Sequence, residues 1–189
     1  MNTHDRTIIE RIKGRITFIT DRLSYHIDLW RSSKIEIGSC DAVCLVLGPY
    51  RNLTTLTAAI LFLHPNCQVL NHGGARIFRH PEVDFFSNFS KQTFDRFIRY
   101  CIHLSKRGKK SGGSITTSHA FRSRQLMRDT YAKSEGKFIK DDIRCLFWKE
   151  SLRTSNFIRT KNVDLGKLLN KDKRLRFLLP IRNPMDCAV

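Results

Sequence analysis

The segment Gly48-Pro49-Tyr50-Arg51-Asn52-Leu53-Thr54-Thr55 carries the residue types of an anion-binding turn. It lies between a short apolar run and an amphipathic stretch, so it reads as a strand-to-helix connection. A helix opening there aims its first N–H groups and the positive end of its dipole at a bound anion. Arg51 can fork onto phosphate or sulfate oxygens, and Thr54 and Thr55 can add hydroxyl donors. The turn is not a Walker A loop, because GxxxxGK[ST] is absent. Two readings stay open on mechanics alone: a loop for a phosphate- or sulfate-bearing ligand, or a plain turn whose Thr side chains cap the helix. The cysteines offer less. Cys40, Cys44, Cys67, Cys101, Cys145 and Cys187 form no CxxC pair, and three of them sit in or beside apolar runs. They are expected to be reduced residues in or near the core, with no metal site and no disulfide frame.

The elements around the turn follow from periodicity. Ala42 to Leu47 is a continuous apolar run of the kind buried on both faces of a parallel sheet. Leu56, Ala59, Ile60 and Leu63 mark a helix that stops near His64-Pro65. Cys67 to Leu70 reads as a second strand before a Gly73-Gly74 break, and Phe94, Phe97, Ile98 and Cys101 mark a second helix. Lys106 to Ser118 is Gly-, Ser- and Lys-rich and reads as a basic loop. A weakly patterned helix is expected over 122–133, a strand over 143–148, a short helix over 165–169 and a strand over 175–181. Asn183-Pro184 then opens another helix. Strand and helix in alternation give an α/β fold.

Before this domain, apolar residues fall at Ile8, Ile12, Ile16, Ile19, Leu23, Ile27 and Trp30, with Arg6, Arg11, Lys13, Arg15, Arg22 and Arg31 on the other faces. That spacing predicts a long amphipathic helix. Its apolar stripe is expected to pack on the domain and its basic face to meet water; a membrane-surface or partner helix is the alternative. The chain thus divides into an N-terminal helical extension, 1–38, and an α/β domain, 39–189.

The turn resembles the 5′ donor loop of the sulfotransferases that use 3′-phosphoadenosine 5′-phosphosulfate (PAPS), in particular tyrosylprotein and related bacterial enzymes. Arg51, Thr54-Thr55 and Leu63-His64-Pro65 stand in matching register. The family usually has Gly before Thr-Thr; here it is Leu53. Near the other end, Arg174 to Val189 resembles the family's strand followed by Arg-Asn-Pro and a helix. The resemblance implies a P-loop-like parallel sheet flanked by helices, and a donor site of Pro49, Tyr50, Arg51, Asn52, Leu53, Thr54 and Thr55, with Arg182 on the 3′-phosphate. It also implies that the chain stops before a Ser that completes the clamp. Phe147-Trp148-Lys149-Glu150-Ser151 resembles a third motif, in which Lys149 steadies the sulfuryl group. Counted from Arg51 without gaps, the family's catalytic Glu falls on His72, and other sulfotransferases use His as the base. Arg76 stands close to the family's arginine, with Glu150 and His119 as weaker candidates for the base.

The implied reaction moves a sulfuryl group from PAPS to a hydroxyl or amine, without a metal. The net charge of +17, from 34 Lys and Arg against 17 Asp and Glu, suits an anionic glycan or peptide as acceptor. It also suits a non-catalytic protein that binds polyanions by charge, with Arg107, Lys109 and Lys110 in the basic loop. Nucleic acid is not expected, because the Phe residues follow core periods instead of lining a surface. A P-loop kinase-like phosphotransferase lacks its Lys and a clear magnesium-binding Asp. No stretch resembles a signal peptide or a membrane span, so the expected location is the cytoplasm.

Overall fold

The computed structural model describes residues 19–49, 52–107, 114–133, 138–181 and 183. Tyr50, Arg51, Cys187 and Arg182 lie outside them, as do the first half of the N-terminal stripe, Lys109 and Lys110 of the basic loop, and the helix expected after Asn183.

Four strands form one parallel sheet: β1 (Ala42–Val46), β2 (Cys67–Asn71), β3 (Cys145–Lys149) and β4 (Leu175–Leu178). Their spatial order is β2-β3-β1-β4. Every pairing is parallel, with Leu45 beside Trp148 and Asn71 beside Lys149. The central strands are buried on both faces, which their unbroken apolar runs require.

Two cores result, one on each face of the sheet. On one face, α2 (Thr54–Phe62) lays Ala58, Ala59 and Phe62 against Val46, Val69 and Phe147. Ile115, from a short 3₁₀ turn at Ile115–Thr117, joins this core, as do Phe121 of α5 (His119–Arg122) and Met127 of α6 (Gln125–Lys133). The second half of the expected basic loop is therefore structured, and the helix expected over 122–133 is broken at 123–124. On the other face, α3 (Gly74–Ile77) and α4 (Lys91–Lys106) cover Val43, Leu45, Leu70, Leu146 and Trp148. Phe157 and Ile158 of α7 (Ser151–Thr160) and Leu168 of α8 (Leu165–Lys171) complete it.

Residues 19–33, here α1, are helical and pack on this second core. The face they bury differs from the one expected. Ile19, Leu23, Ile27 and Trp30 are 63, 61, 41 and 60% exposed. Tyr25, Asp28 and Ser32 are buried instead, with Leu29 beside them. The reason is Asp28: its carboxylate accepts from Arg76 Nη1 at 3.1 Å, meets His103 Nε2 at 3.1 Å, and takes a further bond from Arg107 Nη1. These three partners sit on α3, on α4 and at its end, and they fix which side of α1 faces inward.

Candidate functional site

In a parallel sheet, ligands bind beyond the carboxyl ends of the strands, where neighbouring strands send their connections to opposite faces. Here β1 and β3 are neighbours. The chain leaves β1 for α2 on one face and leaves β3 for α7 on the other. This switch point is flanked by Gly48, just after β1, and by Lys149-Glu150-Ser151 at the end of β3. β2 adds Asn71-His72-Gly73-Gly74 alongside. The structure therefore brings to one edge the described part of the expected donor turn, His72 and Lys149.

Two contacts hold the described ends of the turn after β1. Gly48 has φ 107°, a conformation that favours glycine, and its N–H donates to Ser155 Oγ of α7 at 2.9 Å. Asn52 Nδ2 donates to the Pro180 carbonyl beyond β4. Leu53 takes the left-handed conformation, φ 57°, at a cost of about 1–2 kcal/mol for a residue with a Cβ. The glycine-type backbone at this position is thus adopted without a glycine. Leu53 is also the residue before the first turn of α2, and no side chain caps that helix. Thr54 is buried inside the helix, and Thr57 Oγ1 donates back to the Leu53 carbonyl. Capping by Thr54 or Thr55, the plain-turn reading, does not occur. The first turn carries no acid either, so among the described residues nothing opposes an anion at the helix start.

Alternation along the strands turns Asn71 and Lys149 towards the α2 face, following Val69 and Phe147. They are neighbours in the β2–β3 register. Both are buried, Asn71 at 5% and Lys149 at 7% exposure. Burial pushes the Lys149 ammonium below its ordinary pKa, and the nearby Glu150 charge only partly opposes this. Asn71 Oδ1 has no hydrogen-bond donor among the described residues. An orphaned buried acceptor at a crevice is costly unless something fills it.

His72 has φ 71° and is followed by Gly73 at φ 97°. Two hydrogen bonds hold its backbone: its N–H donates to the Lys149 carbonyl at 2.9 Å, and its carbonyl accepts from Trp148 Nε1 at 2.9 Å. The ring stays 54% exposed, with Nδ1 3.9 Å from Glu150 Oε1. Glu150 is buried, and its Oε2 accepts from the Gly74 N–H at 2.8 Å. Burial would raise its pKa, but His72, the Gly74 N–H and Arg153 together hold it below the ordinary carboxylate value. Left-handed backbone on a non-glycine residue at a strand end is the kind of strain that collects at working sites.

Gly74 begins α3, where the sequence pattern suggested only a break. A Cβ added there would lie 2.6 Å from Glu150 Cγ. Gly74→Ala is therefore expected to push Glu150 out of its place and cost about 1–3 kcal/mol. Chemical denaturation measures the cost, and an unchanged midpoint would mean that the carboxylate has room to move.

On the α7 side of Glu150 lies a cleft of about 420 Å³ bordered by Gly74, Phe78, Arg79, Arg153, Phe157 and Lys161. Phe78 and Phe157 stack at 4.4 Å. Its charged lining residues are all basic. Arg76 is not one of them, because it is paired with Asp28. His119 starts α5, a helix packed on the α2 side. Asn71 and Gly74 join the site through contacts between distant segments, beside Lys149 and on Glu150, and Arg153 joins it one helical turn beyond Glu150.

Among the described residues no three His, Cys, Asp or Glu side chains come together as metal ligands, and no helix is long and apolar enough to cross a membrane. Comparison with protein-family models, characterised proteins and solved structures gave no match.

Proposed function

We propose that this chain is a PAPS-dependent sulfotransferase domain with a P-loop-like donor turn, working in the cytoplasm. The observation that carries the reading is His72 facing the buried Glu150 at the carboxyl edge of the sheet, with Lys149 buried beside Asn71 on the opposite, α2 face of that edge. An uncapped helix start lies on one side of it and a basic cleft on the other. Arg51 and the N–H groups at the start of α2 would hold the donor's 5′ end, and Arg182 its 3′-phosphate. Asn71 Oδ1 offers a buried acceptor to a ligand N–H or O–H.

PAPS, when bound, supplies a sulfuryl group on a good leaving group, the 5′-phosphate oxygen of the nucleoside bisphosphate PAP. The rest falls to the chain. His72 accepts the acceptor's proton at Nε2 as the acceptor oxygen or nitrogen bonds to sulfur. Glu150, facing Nδ1, steadies the imidazolium that forms. Lys149 lies where negative charge develops on the departing oxygen. Arg79, Arg153 and Lys161 favour an anionic acceptor, a glycan or peptide, in the cleft beside Glu150. A non-catalytic nucleic-acid binder is less well supported, because Phe62, Phe85, Phe94, Phe97 and Phe147 are wholly buried and offer no face to a base.

Thermal unfolding with PAP, with ADP, and with an Arg51→Ala variant tests the donor site. A ligand specific to the folded state adds about 2.7 kcal/mol at a hundredfold excess over Kd. PAP is expected to raise the melting temperature, ADP to raise it less, and Arg51→Ala to abolish the shift. Equal shifts by PAP and ADP, or none by either, would remove the sulfotransferase reading.

A further inference from the structure

The exposed side of α1 carries an apolar stripe that the fold does not use. Ile19, Leu23, Ile27 and Trp30 lie roughly 160° around the helix from Tyr25, Asp28, Leu29 and Ser32. The Asp28 contacts with Arg76, His103 and Arg107 prevent the helix from rolling over to bury it. Arg22 and His26 border the stripe on one side and Arg31 on the other, all exposed. The Lys34 ammonium lies 3.9 Å from the Trp30 ring centroid. In the sequence, the same spacing continues back through Ile16, Ile12 and Ile8, with Arg15, Lys13 and Arg11 between them.

We infer that α1 docks this chain on an anionic membrane surface, lying in the interface with its stripe among the acyl chains. An apolar stripe with basic borders and a Trp is the composition of an interfacial helix. The described helices are not long and apolar enough to span, so the contact is peripheral. Charge selects the occupant. At +17, a second copy brings like charge against like around the stripe, whereas anionic headgroups meet Arg22, Arg31 and Lys34 with the opposite sign. The inference does not depend on the sulfotransferase reading.

The test is flotation with vesicles of phosphatidylcholine alone and with roughly one-fifth phosphatidylserine. Trp148 is fully buried, so a change in tryptophan emission reports on Trp30. The expected result is binding to the anionic vesicles only, a blue shift quenched by brominated lipid, and weakening with salt. A Leu23→Asp, Ile27→Asp double variant is expected to lose at least about tenfold in binding. Because both residues are exposed, its melting temperature should be unchanged. Three results overturn the inference. One is no binding to anionic vesicles at low salt. Another is equal binding by the double variant, which assigns the lipid to a different basic surface. The third is a dimer in sedimentation that the double variant dissolves, which assigns the stripe to a second copy.

Discussion

Replacing His72 by asparagine is expected to lower the turnover of PAPS to PAP by about 100- to 10,000-fold, the range for loss of a general base. Asparagine is the informative choice. His72 sits at φ 71°, and Asn tolerates that region better than other non-glycine residues. The backbone bonds to Lys149 and Trp148 should survive, so PAP should still raise the melting temperature. Glu150→Gln keeps an acceptor for the Gly74 N–H but removes the charge facing Nδ1, so its loss of turnover should be smaller. If Glu150→Gln is the more damaging change, the carboxylate is the base and His72 its neighbour. The stability of the same pair of proteins carries a pH signature. The folded pKa of Glu150 lies below its ordinary value, so its contribution is present above the unfolded carboxylate range. It is lost as the pH falls through the lowered folded value. Glu150→Gln should flatten that acid slope.

Asp28→Ala is expected to cost about 2–4 kcal/mol of folding free energy, measured by urea titration. The carboxylate is 1% exposed and faces Arg76, Arg107 and His103. Its removal leaves cations crowded without a counter-charge. The expected cost lies at or below the upper range for broken buried pairs, because Arg76 and Arg107 are 38 and 28% exposed and water screens them. A loss below about 1 kcal/mol would mean that hydrophobic contacts at Tyr25 and Leu29 suffice to seat α1.

These two sites also mark what the sequence does and does not reveal. Strands β1 and β3 are legible because buried parallel strands are written as apolar runs, β2 by Val69-Leu70 ahead of the Gly73-Gly74 break, and α4 because Phe94, Phe97, Ile98 and Cys101 follow the helical period. Helix α7 is not legible in the same way. Phe157 and Ile158 are adjacent and few, and its packing is partly set by Ser155 on Gly48. For α1 the period identifies which residues share a face, but not which face packs. That is decided by Asp28 and by partners 48 to 79 positions away. The site divides likewise. His72 and Lys149 stand out by register within local motifs. The Gly74–Glu150 contact joins residues 76 apart and exists only once β2 and β3 are side by side.

The hydrogen bond from Trp148 to the His72 carbonyl has a consequence for how the molecule can be watched. Trp148 lies between Phe78 and Phe97, each at 5.4 Å, so its indole hydrogen belongs at once to the aromatic core and to the strained strand end. The chain has two tryptophans. In a heteronuclear magnetic-resonance spectrum their indole signals number two, one from the core and one from the outer face of α1. The first is a readout of the carbonyl that holds His72, visible before any acceptor is known. The same bond means that repacking around Phe78 or Phe97 also shifts the groups proposed to move a proton, so thermostabilising this core and keeping the proposed site in place are not independent tasks.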